Sequence, residues 1–266
     1  MPERHIAVCM KITPKPEEIR VDPETMLIQR EHARSEINPP DMNAIELALH
    51  LKDQSGARLS ILSMGPPFYE PHLRVGLAMG ADALYLLSDR SFAGADTLAT
   101  TYVLAQAVEK LGDIDLVVCG EESSDGATGQ VPPGIAEWLG WPAVTLAVQA
   151  DFENGKDAIR IKRDSHGRSL VRSPLPAVVS VKSAANQPRF MDYDLKPWAF
   201  EDAPLTLWGP EELGTDEARV GLPGSPTSVS GLREAEMRER RRERLIGSTE
   251  EIARQVVDLL DPYLRS

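Results

Sequence analysis

The chain has 266 residues and a formal net charge of −12, from 29 basic and 41 acidic side chains. This length fits one large α/β domain with extensions. An acidic chain is a poor general binder of nucleic acid or anionic membrane, and no apolar run approaches the roughly 20 residues of a membrane span. We therefore expect no nucleic-acid partner and no membrane insertion.

The start of the chain and its cysteines predict the compartment. The first residues run directly into a strand-like pattern, without the long apolar core and cleavage site of a signal peptide. Cys9 and Cys119 lie in or at the end of apolar runs, as small buried hydrophobes do in a reducing compartment. We therefore expect a cytoplasmic protein. Two cysteines alone cannot form a structural zinc site.

The first half of the chain alternates strand and helix patterns. Short aliphatic runs, typical of buried parallel strands, occupy residues 6–12, 59–64, 83–87 and 116–119. Helical patterns fall at residues 43–52, with Asp41 as a plausible N-cap, and at 71–79, 97–111 and 130–139. This alternation predicts a doubly wound parallel sheet, which binds ligands beyond the carboxyl ends of its strands.

The pattern changes after residue 141. Residues 144–150, 158–162, 169–172 and 178–182 indicate short strands of an antiparallel addition or sheet edge. Residues 187–230 show no sustained period, and a stretch that long is expected to pack on something else. Helices are predicted at 231–245, which is very polar, and at 248–260, where Ser248 and Glu251 form a capping box. We predict an α/β domain over residues 1–186 and a linker with a C-terminal helical arm over 187–266.

The strongest local signal is the loop at residues 120–131, which follows a strand and opens a helix. Its glycines allow a ligand close to the backbone, and the helix start offers amides and a positive dipole to a phosphate. Thr128 adds a hydroxyl donor. The competing interpretation is an ordinary strand-to-helix turn, and the loop matches neither common phosphate-binding fingerprint.

Three further loops fall at predicted strand ends or helix starts. Residues 63–67 form a stiff Gly-Pro-Pro turn, and residues 88–97 form a charged loop in which Arg90 could pair with a phosphate or with Asp89. Residues 38–41 could be only a helix entry. The five histidines are scattered and no nucleophile elbow is present, so nothing indicates hydrolysis.

Together these segments resemble the beta subunit of electron-transfer flavoproteins. The similarity runs over about residues 5–190 and rests on residues 11–14, 38–46, 63–67, 78–82, 88–97 and 125–131, which occur in order. The resemblance implies a nucleotide-binding α/β fold of the HUP type. It also implies an alpha-subunit partner whose mobile domain carries FAD, and a dehydrogenase, of the acyl-CoA type or another, as redox partner.

The resemblance also implies the cofactor site. The family's nucleotide lies against the end of the first strand and against the loops above, which gives a site list of Cys9, Asn38, Asp41, Met64, Gly65, Pro66, Arg90, Gly120, Asp125, Gly126, Thr128, Gly129, Gln130 and Val131. One branch of the family buries a structural AMP there. The bifurcating and nitrogen-fixation-associated branch holds a second FAD, which NADH reduces in the bifurcating members.

Residues 63–67, 88–97 and 125–126 are similar to the FAD-binding branch, which is therefore favoured. Several positions depart from it. The family pattern has an acidic residue in place of Ala127, alanine in place of Gly129, and a different pair in place of Ser123 and Ser124. Residues 128–130 are shared with the AMP branch, so AMP stays as the rival occupant.

The expected function is electron transfer between flavins, in which the cofactor carries the chemistry and no catalytic acid or base is required. Electron bifurcation is an extension of that role. The alternative is a stand-alone module, of the stress-protein type, that binds AMP or ATP. An adenylating enzyme is rejected because residues 11–16 are not a pyrophosphate loop.

Overall fold

The computed structural model describes residues 4–15, 34–153, 157–227 and 244–264. The chain forms two compact units, residues 1–232 and residues 233–266. The larger unit holds all the strands of the described part of the chain. The smaller one holds a single described helix.

The strands and helices alternate as far as residue 140 and then give way to neighbouring strands. The strands are β1 (His5–Cys9), β2 (Ile12–Pro14), β3 (Ser35–Ile37), β4 (Arg58–Met64), β5 (Ala83–Leu87), β6 (Leu116–Gly120), β7 (Ala143–Phe152), β8 (Ala158–Asp164), β9 (Arg168–Pro174), β10 (Ala177–Val181) and β11 (Leu205–Trp208). The helices are α1 (Pro39–Ser55), α2 (Glu70–Ala78), α3 (Thr97–Leu111), α4 (Val131–Leu139), α5 (Pro210–Leu213) and α6 (Thr249–Leu264).

Nine of these strands form one sheet in the order β11-β5-β4-β1-β6-β10-β7-β8-β9. Neighbours from β11 to β7 run parallel, and β8 and β9 add an antiparallel hairpin to β7. Strands β2 and β3 form a separate antiparallel pair. The predicted fold class, a doubly wound and mostly parallel α/β sheet, is confirmed.

Helices cover both faces of the sheet because successive residues of a buried strand point to opposite sides. In β1, Ile6 and Val8 belong to the core under α1 and α2, which also holds Ile45 and Leu77. The alternate residues Ala7 and Cys9 belong to the other core, under α3 and α4, with members of those helices such as Val103 and Ile135. This double burial explains why the parallel strands read as continuous aliphatic runs.

Two local predictions were wrong. Residues 178–182 were assigned to an antiparallel edge, but β10 is a parallel strand between β6 and β7, buried at all five positions. Its register pairs are parallel on both sides, with Val178 beside Val117 of β6 and beside Ala143 of β7. Asp41 is not an N-cap: α1 begins two residues earlier, after Asn38, and the Asp41 carboxylate contacts other elements.

Residues 187–230 were expected to pack on something else, and their described part, residues 187–227, packs on the sheet domain. Arg189 donates from Nε to Glu46 Oε2 at 3.0 Å and from NH2 to Asp53 Oδ2 at 2.9 Å, which fixes the segment to α1. Arg74 of α2 donates to the carbonyl of Ala199 at 2.6 Å. Strand β11 then pairs with β5 and extends the sheet. The boundary at residue 186 stays a prediction.

Helix α6 confirms the predicted C-terminal helix and its capping box, in which Ser248 N–H donates to Glu251 Oε2 at 2.8 Å. The apolar side chains predicted to line one face of this helix include Val256 and Leu260, which are 38% and 49% exposed. The polar helix predicted at 231–245 falls almost entirely outside the described residues.

Gly76 of α2 lies where the helix meets the sheet. A Cβ there would overlap the side-chain end of Ile61 and lie 2.9 Å from Ile45 Cδ1. Gly76→Ala should therefore lower the free energy of unfolding by about 1–3 kcal/mol, although alanine ordinarily favours a helix. Urea unfolding measures this. The matched control His72→Ala, on the same helix, should change it by less than about 0.5 kcal/mol; a stabilised Gly76→Ala protein would contradict the packing.

Candidate functional site

The predicted loops meet at one edge of the sheet. Register pairs place Cys9 beside Leu62 and Met64 beside Leu87, so β1, β4 and β5 end side by side, and β6 ends on the other side of β1. The four loops therefore form a row in the order of β5, β4, β1 and β6. The site is built from this row.

Asn38 ties the β6–α4 loop to the start of α1. It is 1% exposed, its Nδ2 donates to the Glu122 carbonyl at 2.9 Å, and its Oδ1 accepts from Ser124 N–H at 3.0 Å. Asn38 was predicted to bind the nucleotide. The structure engages both of its polar atoms with the loop, so its direct effect is to fix the loop's path.

Asp41 also links separate parts of the chain: α1, the segment after β1 and the end of β6. Its carboxylate accepts from the Lys11 N–H at 2.7 Å and from the Gly120 N–H at 3.1 Å. Burial raises the pKa of Asp41 to about 7, and hydrogen bonds from Lys11, Asn38 and Gly120 oppose that rise. A Cβ at Gly120 would overlap Asp41 and Pro40, so glycine is required there by α1.

Lys11, which the site prediction omitted, holds the loop from the other side. Its Nζ lies 2.6 Å from Asp125 Oδ1 and 3.3 Å from Ser123 Oγ. Ser124 Oγ donates to Thr13 Oγ1 at 3.1 Å. The unusual serine pair thus adds two side-chain contacts between the loop and the segment after β1. Lys11 lies two residues after the end of β1, whereas the predicted strand ran on to residue 12. Its place in residues 11–14, on which the family resemblance rests, is the signal that could have identified it.

The second half of the loop has the backbone of an anion site. Ala127 and Gly129 have φ of 46° and 63°, in the left-handed region, whereas Gln130 is right-handed at φ −93° and ψ −10°. Successive residues of opposite hand form a nest whose N–H groups converge on an anion. Thr128 Oγ1 lies beside this nest, 3.4 Å from Gln130 N and 3.5 Å from Thr97 Oγ1.

The start of α4 offers fewer donors than the sequence suggested. Pro132 and Pro133 have no N–H, and the N–H of Gly134 donates to the Gln130 carbonyl at 3.0 Å. Of the first helical residues, only Val131 can present an amide outward. The amides that can face a phosphate are therefore mainly those of the nest.

The β4 loop contributes a turn with little bulk. A Cβ at Gly65 would overlap the ring of Tyr69, so this glycine serves packing within the turn. Met64 and Pro66 are half-buried. Ser63 is 1% exposed, and its hydroxyl has no hydrogen-bond partner among the described residues. An unpartnered buried hydroxyl at a strand end is compatible with a polar ligand at this edge.

Arg90 is exposed in the β5–α3 loop. The pairing considered for Asp89 does not form: Asp89 Oδ1 accepts from Ser91 N–H at 2.8 Å and so closes its own turn. No carboxylate of the described residues pairs with Arg90. The guanidinium is therefore available to an anionic ligand at this end of the row.

Cys9 lies at the middle of the row, beside Cys119. Both thiols are buried, at 8% and 3% exposure. A hydrogen bond with Cys9 and burial raise the pKa of Cys119 well above its ordinary value. The expectation that both are small buried hydrophobes is confirmed, and no group of metal-ligating side chains occurs in the described ranges.

The fold is a doubly wound α/β domain, and the loops at the carboxyl ends of its strands form a candidate ligand site. Residues 25–207 match the family model described as electron transfer flavoprotein domain. The chain is 41% identical to the electron transfer flavoprotein subunit beta of Clostridium acetobutylicum over 226 residues, which cover 85% of this chain and 86% of the relative. It is 40% identical to the caffeyl-CoA reductase-Etf complex subunit CarD of Acetobacterium woodii, over 84% of this chain and 85% of the relative.

Protein FixA of Azorhizobium caulinodans is 39% identical over 238 residues, which cover 85% of this chain and 82% of the relative. The chain belongs to the electron transfer flavoprotein family, and its role is electron transfer. The predicted resemblance to the beta subunit, on the bifurcating and nitrogen-fixation-associated side, is confirmed. No helix in the described residues is long and apolar enough to cross a membrane.

Asp41 predicts a pH dependence of stability. A carboxyl group whose pKa rises from 3.8 to about 7 on folding stabilises the fold at low pH, and this contribution is lost as the pH rises towards 7. Its upper limit is about 4 kcal/mol. Asp41→Asn should therefore flatten the change in unfolding free energy between about pH 4 and pH 7. Urea unfolding across this range measures the slope, and an unchanged slope would show that Asp41 titrates normally.

Proposed function

We propose that this chain binds FAD at the carboxyl edge of its sheet and passes electrons between that flavin and a flavin on a partner subunit. The observation that carries the proposal is the nest at Gly129 and Gln130, held in place by Asn38 and Lys11. In an acidic chain it offers a phosphate partial positive charge from the backbone.

The length of the row favours FAD over AMP. Strands β6 and β5 are three places apart in the sheet, and at ~4.8 Å per strand this separates their loops by roughly 14 Å. An AMP would be accommodated near the nest and the end of β1. The β4 and β5 loops, with Met64, Pro66 and the exposed Arg90, suit the remainder of a dinucleotide.

When bound, the flavin would accept a hydride and release single electrons. The residues of this chain would set its position and its environment. The nest and Thr128 would hold phosphates, and the turn at Gly65 and Pro66 would line one wall without bulky side chains. Arg90 would place a positive charge near the ring or the diphosphate, which favours a reduced, anionic flavin. We propose NADH as the hydride donor.

Exposed apolar side chains support a role within a complex. Phe190 and Tyr193 are 95% and 86% exposed in the segment between β10 and β11, and α6 exposes apolar side chains such as Val256 and Leu260. Exposed aromatic and aliphatic side chains mark a protein–protein interaction site where they form a contiguous patch. We propose an electron-transfer flavoprotein alpha subunit as the obligate partner and a dehydrogenase as the second. The relative CarD, by its name, assembles with a reductase.

We propose a cytoplasmic location for this chain. Its two cysteines are free and buried, which is typical of a protein in a reducing compartment.

Cofactor content tests the proposal. The complete complex is purified, denatured and analysed for flavin and nucleotide per heterodimer. We expect two FAD molecules per heterodimer, one of which NADH reduces. One flavin with one AMP would refute FAD binding and leave a simple electron carrier. A stable monomer that holds AMP or ATP and no flavin would establish the stress-protein-like alternative instead.

Two glycines with similar positive φ angles test the nest directly. Gly129 has φ of 63°, and a Cβ there would lie 3.5 Å from the Glu121 carbonyl oxygen, an ordinary contact. Gly56, at the far end of α1, has φ of 70° and open space around it. Alanine costs about 1 kcal/mol of backbone strain at either site. Gly129→Ala should lower nucleotide occupancy several-fold, since it distorts the nest, whereas Gly56→Ala should not. Equal nucleotide occupancy in the two purified variants would show that the nest is not part of the binding site.

A further inference from the structure

Residues 216–227, named here the strap, cross the β5–α3 loop. The strap follows α5 and is anchored by Val220, which is 2% exposed and belongs to the same core as Phe92 of the loop. At its start, Asp216 N–H donates to the Tyr102 hydroxyl at 3.0 Å. Arg219 lies over the rings of Tyr102 and Trp138, at 5.7 Å and 5.6 Å from their centroids. The strap is therefore fixed on α3 and α4 before it reaches the loop.

Strap and loop meet backbone to backbone. Gly221 has φ of 55°, and a Cβ there would overlap the Ser91 carbonyl and lie 3.1 Å from the Ala93 carbonyl. On the loop side, Gly94 has φ of 73°, and its Cβ would lie 2.7 Å from Leu222 Cγ. Each glycine is thus required both by its conformation and by the close approach. The strap leaves the middle of the loop no room to move outward.

Asp96 then bonds the end of the loop to the end of the strap. Its Oδ1 accepts from Leu98 N–H at 2.9 Å and from Ala99 N–H at 3.1 Å, which caps α3. Its Oδ2 accepts from Thr227 N–H at 3.0 Å and from Thr227 Oγ1 at 2.7 Å. The Asp96 N–H donates to Ser225 Oγ at 2.8 Å. One carboxylate therefore divides its two oxygens between helix and strap.

The charge on Asp96 strengthens this connection. Partial burial raises its pKa, but hydrogen bonds from Thr227, Ala99 and Leu98 outweigh burial and leave the pKa below its ordinary value. The carboxylate is therefore ionised at neutral pH, and hydrogen bonds to a charged acceptor are stronger than neutral ones.

We propose that the strap positions the β5–α3 loop for the bound cofactor and that Asp96 is the positioning residue. The proposal rests on the proposed function, because Arg90 opens this loop and is expected to face the flavin. It also reaches the phosphate end of the site: Thr97, the residue after Asp96, lies 3.5 Å from Thr128 through their hydroxyl oxygens. Loss of the strap should disturb both ends of the row.

The Asp96→Asn variant tests the bonds of Asp96 to the strap separately from its capping of α3. Asparagine is as good an N-cap as aspartate, so its Oδ1 keeps α3 capped. Its Nδ2 cannot accept, so the bond from the Thr227 N–H is lost and the Thr227 hydroxyl loses a charged acceptor, whereas the bond from the residue 96 N–H to Ser225 remains. Thr227→Val removes only the hydroxyl bond and leaves Asp96 intact. Asp82→Asn is the control. Asp82 also accepts a backbone N–H, from Leu59 at 2.8 Å, but it precedes the amino end of β5, away from the loops at the carboxyl ends of the strands.

Each variant is purified as the full chain with its co-purifying subunit. Hydrogen exchange of residues 90–97, the release rates of FAD and of AMP, and the visible spectrum and reduction potential of the bound flavin are measured. In Asp96→Asn we expect faster exchange in the loop, cofactor release faster by on the order of tenfold, and a shifted flavin potential. Thr227→Val should show a smaller change in the same direction, and Asp82→Asn no change in release or potential.

The readouts separate this proposal from the proposed function. Hydrogen exchange in the loop reports on the strap whether the occupant is FAD, AMP or neither. Unchanged exchange and unchanged release in Asp96→Asn would overturn the proposal. Faster exchange with unchanged release and potential would also overturn it, since the strap would then only stabilise the fold. If Asp96→Asn fails to fold, Thr227→Val decides by the same measurements.

Discussion

Two backbone N–H groups that donate to the buried carboxylate of Asp41 hold the site together. One belongs to Lys11, just after β1, and the other to Gly120, at the end of β6. Because Asp41 lies in the first turn of α1, this single side chain fixes the helix to the ends of two neighbouring strands. Asn38, three residues earlier, then fixes the loop that continues from β6. The shape of the proposed anion site follows from these contacts.

Proline decides where an anion can bind at this edge. The helix that carries Asp41 begins with Pro39 and Pro40, and α4 has Pro132 and Pro133 in its first turn. Proline suits a helix start but brings no N–H to it. The donors of the proposed anion site therefore come from the irregular loop before α4, in which the left-handed Gly129 is followed by the right-handed Gln130. A loop can orient its N–H groups only if its own conformation is fixed. The contacts of this loop with α1 and with the segment after β1 fix that conformation.

Local pattern predicted most of the elements, but not β3 or β11, and it did not predict the contacts between elements. The periodicity of residues 97–111 and Gly112 gave the bounds of α3, and the aliphatic runs gave β1, β4, β5 and β6. The position of strand β10 in the sheet was predicted wrongly. Its aliphatic run indicates that the strand is buried but does not indicate which strands lie beside it. The roles of Asn38 and Lys11 depend on partners 84 to 114 residues away, which no local window contains. Resemblance placed Asn38 in the site, and only the structure gives its partners.

The order of the strands sets the length of the candidate site. Strand β11 and the strap fix the position of one end of it. Strands β6, β1, β4 and β5 present four loops in a line, and the loop after β5 is closed locally by Asp89 and bonded to the strap through Asp96. Strand β11 covers that edge of the sheet, and the strap continues from it across the loop. An electron carrier needs a cofactor held at a constant position near an open surface. A loop braced from outside meets both requirements, since its bracing leaves Arg90 exposed.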